Sequence, residues 1–300
     1  MSWILYTIAA VILQTFRNLE QKSLNKKLDS LTVSWSRFIL PLPFAIIVVG
    51  YTCLLVTKSF VFYSIITALF QILGNIFLLQ TFKSRNFSIG IAFYKTETLQ
   101  TLLMGLLFFN ITISMSGFMA ILIATAGVIM ISGVVINSGS KKFIQSLRNK
   151  STIYGLLTGL CFSISAFNLK FASQALSHLE YSAITVAIIV LMWVICFQNI
   201  FFILVKICQN RLIKDFKSLV SLENKSTFLK TSILSFAGSV CWFVAFGVGE
   251  VVYVKAVGQL ELIIAIAVSH FILKEKLKTS EMIGIILTSV CILYLIFEAN

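Results

Sequence analysis

The sequence predicts an all-α membrane protein with ten transmembrane helices, arranged as two inverted five-helix repeats. Three observations lead there. Apolar residues make up 58% of the chain and charged residues 12%, against about 45–50% and about 25% in soluble domains. The apolar residues gather in about ten stretches of about 20, the helix length that crosses a hydrocarbon core of about 30 Å. About five of these stretches, an odd number, fall in the first half, so a second half of the same plan must enter the bilayer upside down.

The rest of the composition agrees. Mean hydropathy is +0.97, and a chain with 27 Phe and 2 Pro reads as neither disordered nor soluble. No long polar stretch is available for an extramembrane domain, so chemistry is sought inside the bilayer. The net charge of +13 raises nucleic acid as a partner. However, Lys and Arg cluster in short loops between apolar runs, as in membrane orientation, and no nucleic-acid partner is expected.

In order, the predicted spans are 2–21, 32–56, 60–81, 88–109, 116–136, 152–174, 180–206, 228–247, 251–273 and 280–297. They divide into a first repeat over 1–137, a basic linker over 138–151 and a second repeat over 152–300. The first span has no basic segment before it and ends on polar Arg17–Lys22, so no cleavable signal peptide is expected. Gln14 and Asn18 share one face of it, and Arg17 lies one helical step from Glu20 and Gln21. The second span opens with Trp35 and Arg37. Arg37 reads as a phosphate-region anchor, a partner for Glu20 or a cavity cation.

The fourth span holds Glu97 well inside, with Tyr94, Thr98, Thr101 and Gly105 on the same helical face. Lys95, two residues away, points nearly opposite in a continuous helix; it either pairs with another helix or reaches the interface. The sixth span sets Thr158, Cys161, Ser165 and Asn168 down one face. Asn168 either faces a cavity or hydrogen-bonds between helices. Trp193 and Trp242 lie inside the seventh and eighth spans, as an aromatic wall or as packing. In the ninth, Glu261 shares a face with Gly258 and Ala265, while Lys255 and Gln259 form a second polar stripe. Glu250 is expected at a helix start, where a carboxylate complements the dipole. Between spans seven and eight, Leu212, Phe216, Leu219 and Val220 recur at helical spacing among cations, which reads as an interfacial helix or a solvated basic loop.

The two halves align faintly. A shift of 150 places Asn18-Leu19 on Asn168-Leu169, and a shift of 164 places Gly74 on Gly238 and Glu97 on Glu261. An ionised side chain at the bilayer centre costs about 2.5–3.5 kcal/mol on insertion scales, so these buried charges are read as lining one shared polar pathway. The cysteines lie in apolar runs without a CxxC and read as packing residues. His178 and His270 lack a second ligand one helical turn away, so no metal and no cofactor are expected. No GxSxG, HExxH, P-loop or GxGxxG is present, so no enzyme is expected. The odd-numbered loops carry 18 Lys and Arg and the even-numbered ones Lys58 alone, which places both termini outside.

Several of these features resemble the drug/metabolite transporter superfamily in its ten-helix EamA-like branch. They are Arg37 early in the second helix, the turn Phe271-Ile272-Leu273-Lys274-Glu275-Lys276-Leu277 followed by Gly284, and the weaker Phe108-Phe109-Asn110-Ile111-Thr112 followed by Gly127. The resemblance implies two inverted repeats around a central cavity, export or uptake of small organic solutes by alternating access, and a cavity wall near Gln14, Asn18, Glu97, Asn168, Trp242 and Glu261. The sequence departs from that pattern in two ways. Lys95–Glu97 and Gln259–Glu261 stand where many relatives carry a Pro, and Gln14 stands where the small multidrug pumps rely on a Glu. Relatives also usually keep both termini in the cytoplasm, opposite to the loop charges.

The resulting expectation is a secondary transporter of a small polar metabolite in a bacterial inner membrane, as a monomer or homodimer. An amino acid or related zwitterion is favoured. Glu97 and Glu261 would hold an amine or a coupling proton, and Arg17, Arg37 or Lys255 would attract a carboxylate; Tyr94, Lys95, Thr98, Thr101 and Gln259 complete the candidate site. The alternatives are an exchanger of nucleotide-like or other metabolites, a drug exporter, and a channel.

Overall fold

The computed structural model describes residues 2–84, 94–109, 113–131, 150–271 and 279–298. The described residues are mostly helical, with no strand. The helices are α1 (Ser2–Leu24), α2 (Ser30–Ile39), α3 (Leu42–Thr52), α4 (Lys58–Ser84), α5 (Glu97–Phe108), α6 (Met115–Ile131), α7 (Lys150–Gln174), α8 (Ala183–Cys208), α9 (Leu212–Val220), α10 (Lys225–Val248), α11 (Val251–Val257), α12 (Leu260–Phe271) and α13 (Thr279–Glu298).

Burial is inverted relative to a soluble protein. Leu5, Tyr51, Leu54 and Phe297 are 71–94% exposed, while Lys95, Lys206 and Glu261 are fully buried. Exposed apolar surface and buried charge are the informative exceptions to ordinary burial, and together they describe a bundle that meets lipid outside and keeps its polar groups inside. In α1 the buried residues include Thr7, Ala10, Val11, Arg17, Asn18, Gln21 and Leu24. Their three- and four-residue spacing is one helical face turned inward.

Among the described residues, α4, α7, α8 and α10 are long and apolar enough to cross a bilayer by themselves, and α2 with α3 makes a fifth if the bent pair is one span. The predicted span 32–56 is therefore a broken one, bent by 58°. Pro41 explains the break: it has no N–H to give and its ring clashes with the carbonyl four residues back. The span predicted over 251–273 is interrupted as well, at Gly258-Gln259 between α11 and α12. The fourth keeps a helical residue at Tyr94, turns at Lys95-Thr96 and restarts at Glu97. The linker 138–151 and the turn 271–277 lie almost wholly outside the described residues.

The segment between α8 and α10 contains α9, so its hydrophobic spacing does form a helix. Its Asp215 is buried against Lys206 at 2.6 Å, and Lys206 also donates to Thr32 Oγ1 at 2.8 Å. This cluster ties α9, α8 and α2 together.

Asp29 caps α2, its side chain accepting from the Thr32 N–H at 2.8 Å. Partial burial alone would raise the Asp29 pKa, but the Thr32 hydrogen bonds and the Lys206 and Arg211 charges outweigh it, and the net shift is downward. A carboxyl depressed in the folded state contributes stability above its unfolded pKa of about 3.9 and loses it as pH falls through the folded value. Asp29→Ala is expected to cost about 0.5–2 kcal/mol, measured by thermal unfolding at pH 7, and the difference from wild type should shrink as the pH falls below about 3.9.

Packing pairs the helices across the chain. α4 lies on α7 and α1 on α10; α5 meets α7 and α12 meets α1; α4 meets α8 and α10 meets α2; α6 packs on α13. At the last pair a side-chain carbon at Gly127 would sit 2.9 Å from the Gly284 carbonyl, so only glycine lets these two backbones approach so closely.

Candidate functional site

The two helix restarts carry the two acids. Glu97 and Glu261 sit in the first turns of α5 and α12, where backbone N–H groups and the helix dipole favour negative charge. Each carboxylate is paired from the other half of the chain. Lys95 Nζ lies 2.8 Å from Glu261 Oε2, and Lys255 Nζ lies 3.0 Å from Glu97 Oε2. Lys95 also reaches Glu97 Oε1 at 3.5 Å and the carbonyl of Gly258, at the break, at 2.9 Å.

Glu261 receives more donors than its ion pair alone. Gln14 Nε2 and Asn18 Nδ2 each donate to it at 2.7 Å, and the Tyr94 hydroxyl donates to it as well. Gln14 in turn accepts from Trp242 Nε1 at 2.9 Å, and Asn18 Oδ1 accepts from Arg17 at 2.9 Å. α1, the Tyr94 turn, α10 and α12 thus meet at one carboxylate. A buried ion pair is sustained only when its remaining lone pairs and protons are also satisfied, and here they are.

Beside this knot is a cavity lined by Gln14, Arg17, Arg37, Gln71, Glu97, Phe162, Ser165, Ala166, Leu169, Ser239, Trp242, Phe243, Phe246 and Lys255. It offers water centres about 70 Å³, room for a few waters at ~10–15 Å³ each. Trp242 stacks on Phe246 with centroids 5.3 Å apart. Lys255 Nζ stands 5.4–5.9 Å from the Phe162, Trp242 and Phe246 rings, close enough for cation–π attraction.

Residues 149–297 match the EamA-like transporter family, within the drug/metabolite transporter superfamily. The chain belongs to the EamA-like transporter family. It is accordingly a transmembrane transporter protein. No curated protein matches the sequence. A solved structure described only as "Crystal structure of protein" has the same fold, with TM-score 0.65 at 9% identity over 99% of this chain and 97% of that one. The family match covers the half that supplies Lys255 and Glu261; the likeness of fold extends over both halves.

Within this EamA-like chain the sequence-predicted residues divide into three groups. Gln14, Arg17, Arg37, Glu97, Trp242 and Lys255 line the cavity. Asn18, Tyr94, Lys95 and Glu261 form the knot behind it. Thr98, Thr101, Asn168 and Gln259 do neither. Thr98 donates to the Lys255 carbonyl at 3.2 Å and Thr101 meets Ser163 at 2.7 Å, so both bind helices together. Asn168 donates to Ile164 of its own helix and is not among the cavity-lining residues, whereas Ser165 of the same helix is. Gln259 is buried with no hydrogen-bond partner for its amide among the described residues.

One sequence reading changes, and one of the three alternatives for Arg37 falls away while its place at the cavity stands. Lys95 does not point away from Glu97: the turn at Lys95-Thr96 resets the helical phase. Arg37 does not pair with Glu20, which lies 3.7 Å from Lys230; Arg37 donates to Asn75 Oδ1 at 2.9 Å. Glu250 does precede α11, but its partner is Lys170 at 3.2 Å rather than a free N–H. Asn75 and Gln71 were missed. Both are polar residues inside an apolar helix, so the rule that singled out Glu97 would also have found them.

Proposed function

We propose that this chain is a secondary transporter in which two inverted repeats, α1–α6 and α7–α13, move a small polar metabolite by alternating access. What carries the reading is the pair of helix restarts, each presenting a glutamate to a lysine of the opposite half beside a cavity. Interrupted helices at a repeat interface are how transporters bring backbone and charge to a solute inside the membrane. The packing supports the repeats: exchanging each segment for its counterpart turns α4·α7 into α10·α1, α5·α7 into α12·α1, and α4·α8 into α10·α2, all of which are contacts of the fold.

In this mechanism the ion pairs Lys95–Glu261 and Lys255–Glu97 span the halves and stretch when the halves rock. A charged solute entering beside Lys255 competes with Glu97 for that ammonium and loosens the closed arrangement. A proton or a second solute molecule then resets the halves.

The test is counterflow. Proteoliposomes loaded with unlabelled alanine, succinate, glycerol 3-phosphate or adenosine are expected to accumulate the labelled form of one of them with saturation. Glu97→Gln, which removes one end of a charged hydrogen bond worth about 1.5–3 kcal/mol, should slow that exchange about 10–100-fold. Flux that never saturates would mean a channel, and no exchange of any of the four would overturn the carrier reading.

A further inference from the structure

The charges around the cavity do not balance. Arg17, Arg37, Lys95 and Lys255 face Glu97 and Glu261, and the lysines already hold both carboxylates. Arg17 and Arg37 are 3% and 6% exposed, and neither has a carboxylate within ion-pair distance among the described residues. Arg17 donates to Asn18 Oδ1 and Arg37 to Asn75 Oδ1, while Nε of Arg37 has no partner. An amide oxygen satisfies one or two of a guanidinium's five donors and none of its charge. A buried charge with no carboxylate in direct contact is costly, and two such groups lining one cavity are costlier still.

A planar fork of donors fits an oxyanion better than any other ligand. We infer that Arg17 and Arg37 form an oxyanion-binding subsite, so that the transported solute is a small organic anion bearing a carboxylate or phosphate group. This rests on the transporter reading and narrows it. A zwitterion would need a free carboxylate for its amine, and both are taken. The uncharged part of the anion would lie against Trp242 and Phe246, the stacked pair on the cavity wall.

The experiment is thermal unfolding of the purified full chain in detergent, at constant ionic strength set with chloride, with succinate, glycerol 3-phosphate, alanine or tetraethylammonium added. Succinate or glycerol 3-phosphate is expected to raise the melting temperature in a saturable way, and whichever does so distinguishes a carboxylate source from a phosphate source. Arg17→Gln and Arg37→Gln should each weaken that anion at least tenfold, while the ligand-free melting temperature stays level or rises because an uncompensated charge has gone. If either glutamine variant fails to fold, Arg17→Lys and Arg37→Lys serve in its place, with at least tenfold weaker binding expected because an ammonium lacks the fork.

Stabilisation by alanine or tetraethylammonium and by neither anion overturns the inference and leaves the carrier intact. So does a wild type indifferent to both anions, or variants that bind the anion as wild type does. The carrier reading falls separately, on absence of counterflow.

Discussion

Glu261→Leu is expected to lower stability by about 3–5 kcal/mol, because it strips the counterion from a lysine that cannot reach water. Lys95 is fully buried and lies 2.8 Å from Glu261. Its other acid, Glu97, stands farther off at 3.5 Å and already holds Lys255. The same substitution leaves the donors of Gln14, Asn18 and Tyr94 aimed at an alkyl group. The double variant Lys95→Met with Glu261→Leu should recover only the share due to the stranded ammonium, because the donors of Gln14, Asn18 and Tyr94 stay without their acceptor. Thermal unfolding of the wild type, both single variants and the double variant gives the coupling directly. A single variant as stable as the wild type would show that Glu261 is not the counterion of Lys95.

The second large effect is expected at Asp215→Leu. Lys206 is fully buried, 2.6 Å from Asp215, 2.8 Å from the Thr32 hydroxyl and 5.7 Å from the Trp35 ring. Without Asp215 it keeps one neutral acceptor and an aromatic face, which replace little of the lost charge pairing. The cost is again about 3–5 kcal/mol, a fall of roughly 6–20 °C in melting temperature for a chain of this size. Adding Lys206→Met should return most of it. A purely local role in seating α9 predicts something different: unfolding would begin at α9, proteolysis between α8 and α10 would rise, and the melting temperature of the bundle would hold. Limited proteolysis beside the melt separates the two outcomes.

The first prediction concerns a lysine and a glutamate from opposite halves of the chain, and that is where sequence reasoning reached its limit. Glu97 and Glu261 stood out because an acid inside an apolar run has to be explained, and Gln14, Arg17 and Asn18 because they share one face of a regular helix. Lys95 does pair with another helix, one of the two expectations for it, but its direction relative to Glu97 was misread. Its predicted direction assumed an unbroken helix, and the turn at Lys95-Thr96 rotates it onto Glu261 and the Gly258 carbonyl. Asn168 was named with Ser165 on one face, yet its amide folds back to Ile164 and Ser165 alone reaches the cavity. Periodicity says which residues share a stripe, but not whether a short amide prefers its own helix.

The helical class and the approximate positions of the apolar segments were legible in one dimension, because a bilayer demands long apolar helices and penalises every unexplained charge. Which carboxylate each lysine holds, and which cations are left without one, could not be read there. Pairing depends on distances of a few ångströms between groups up to 247 residues apart, and those distances are set by how interrupted helices pack together. The segments follow from hydropathy, and the two arginines left facing the cavity follow from the packing.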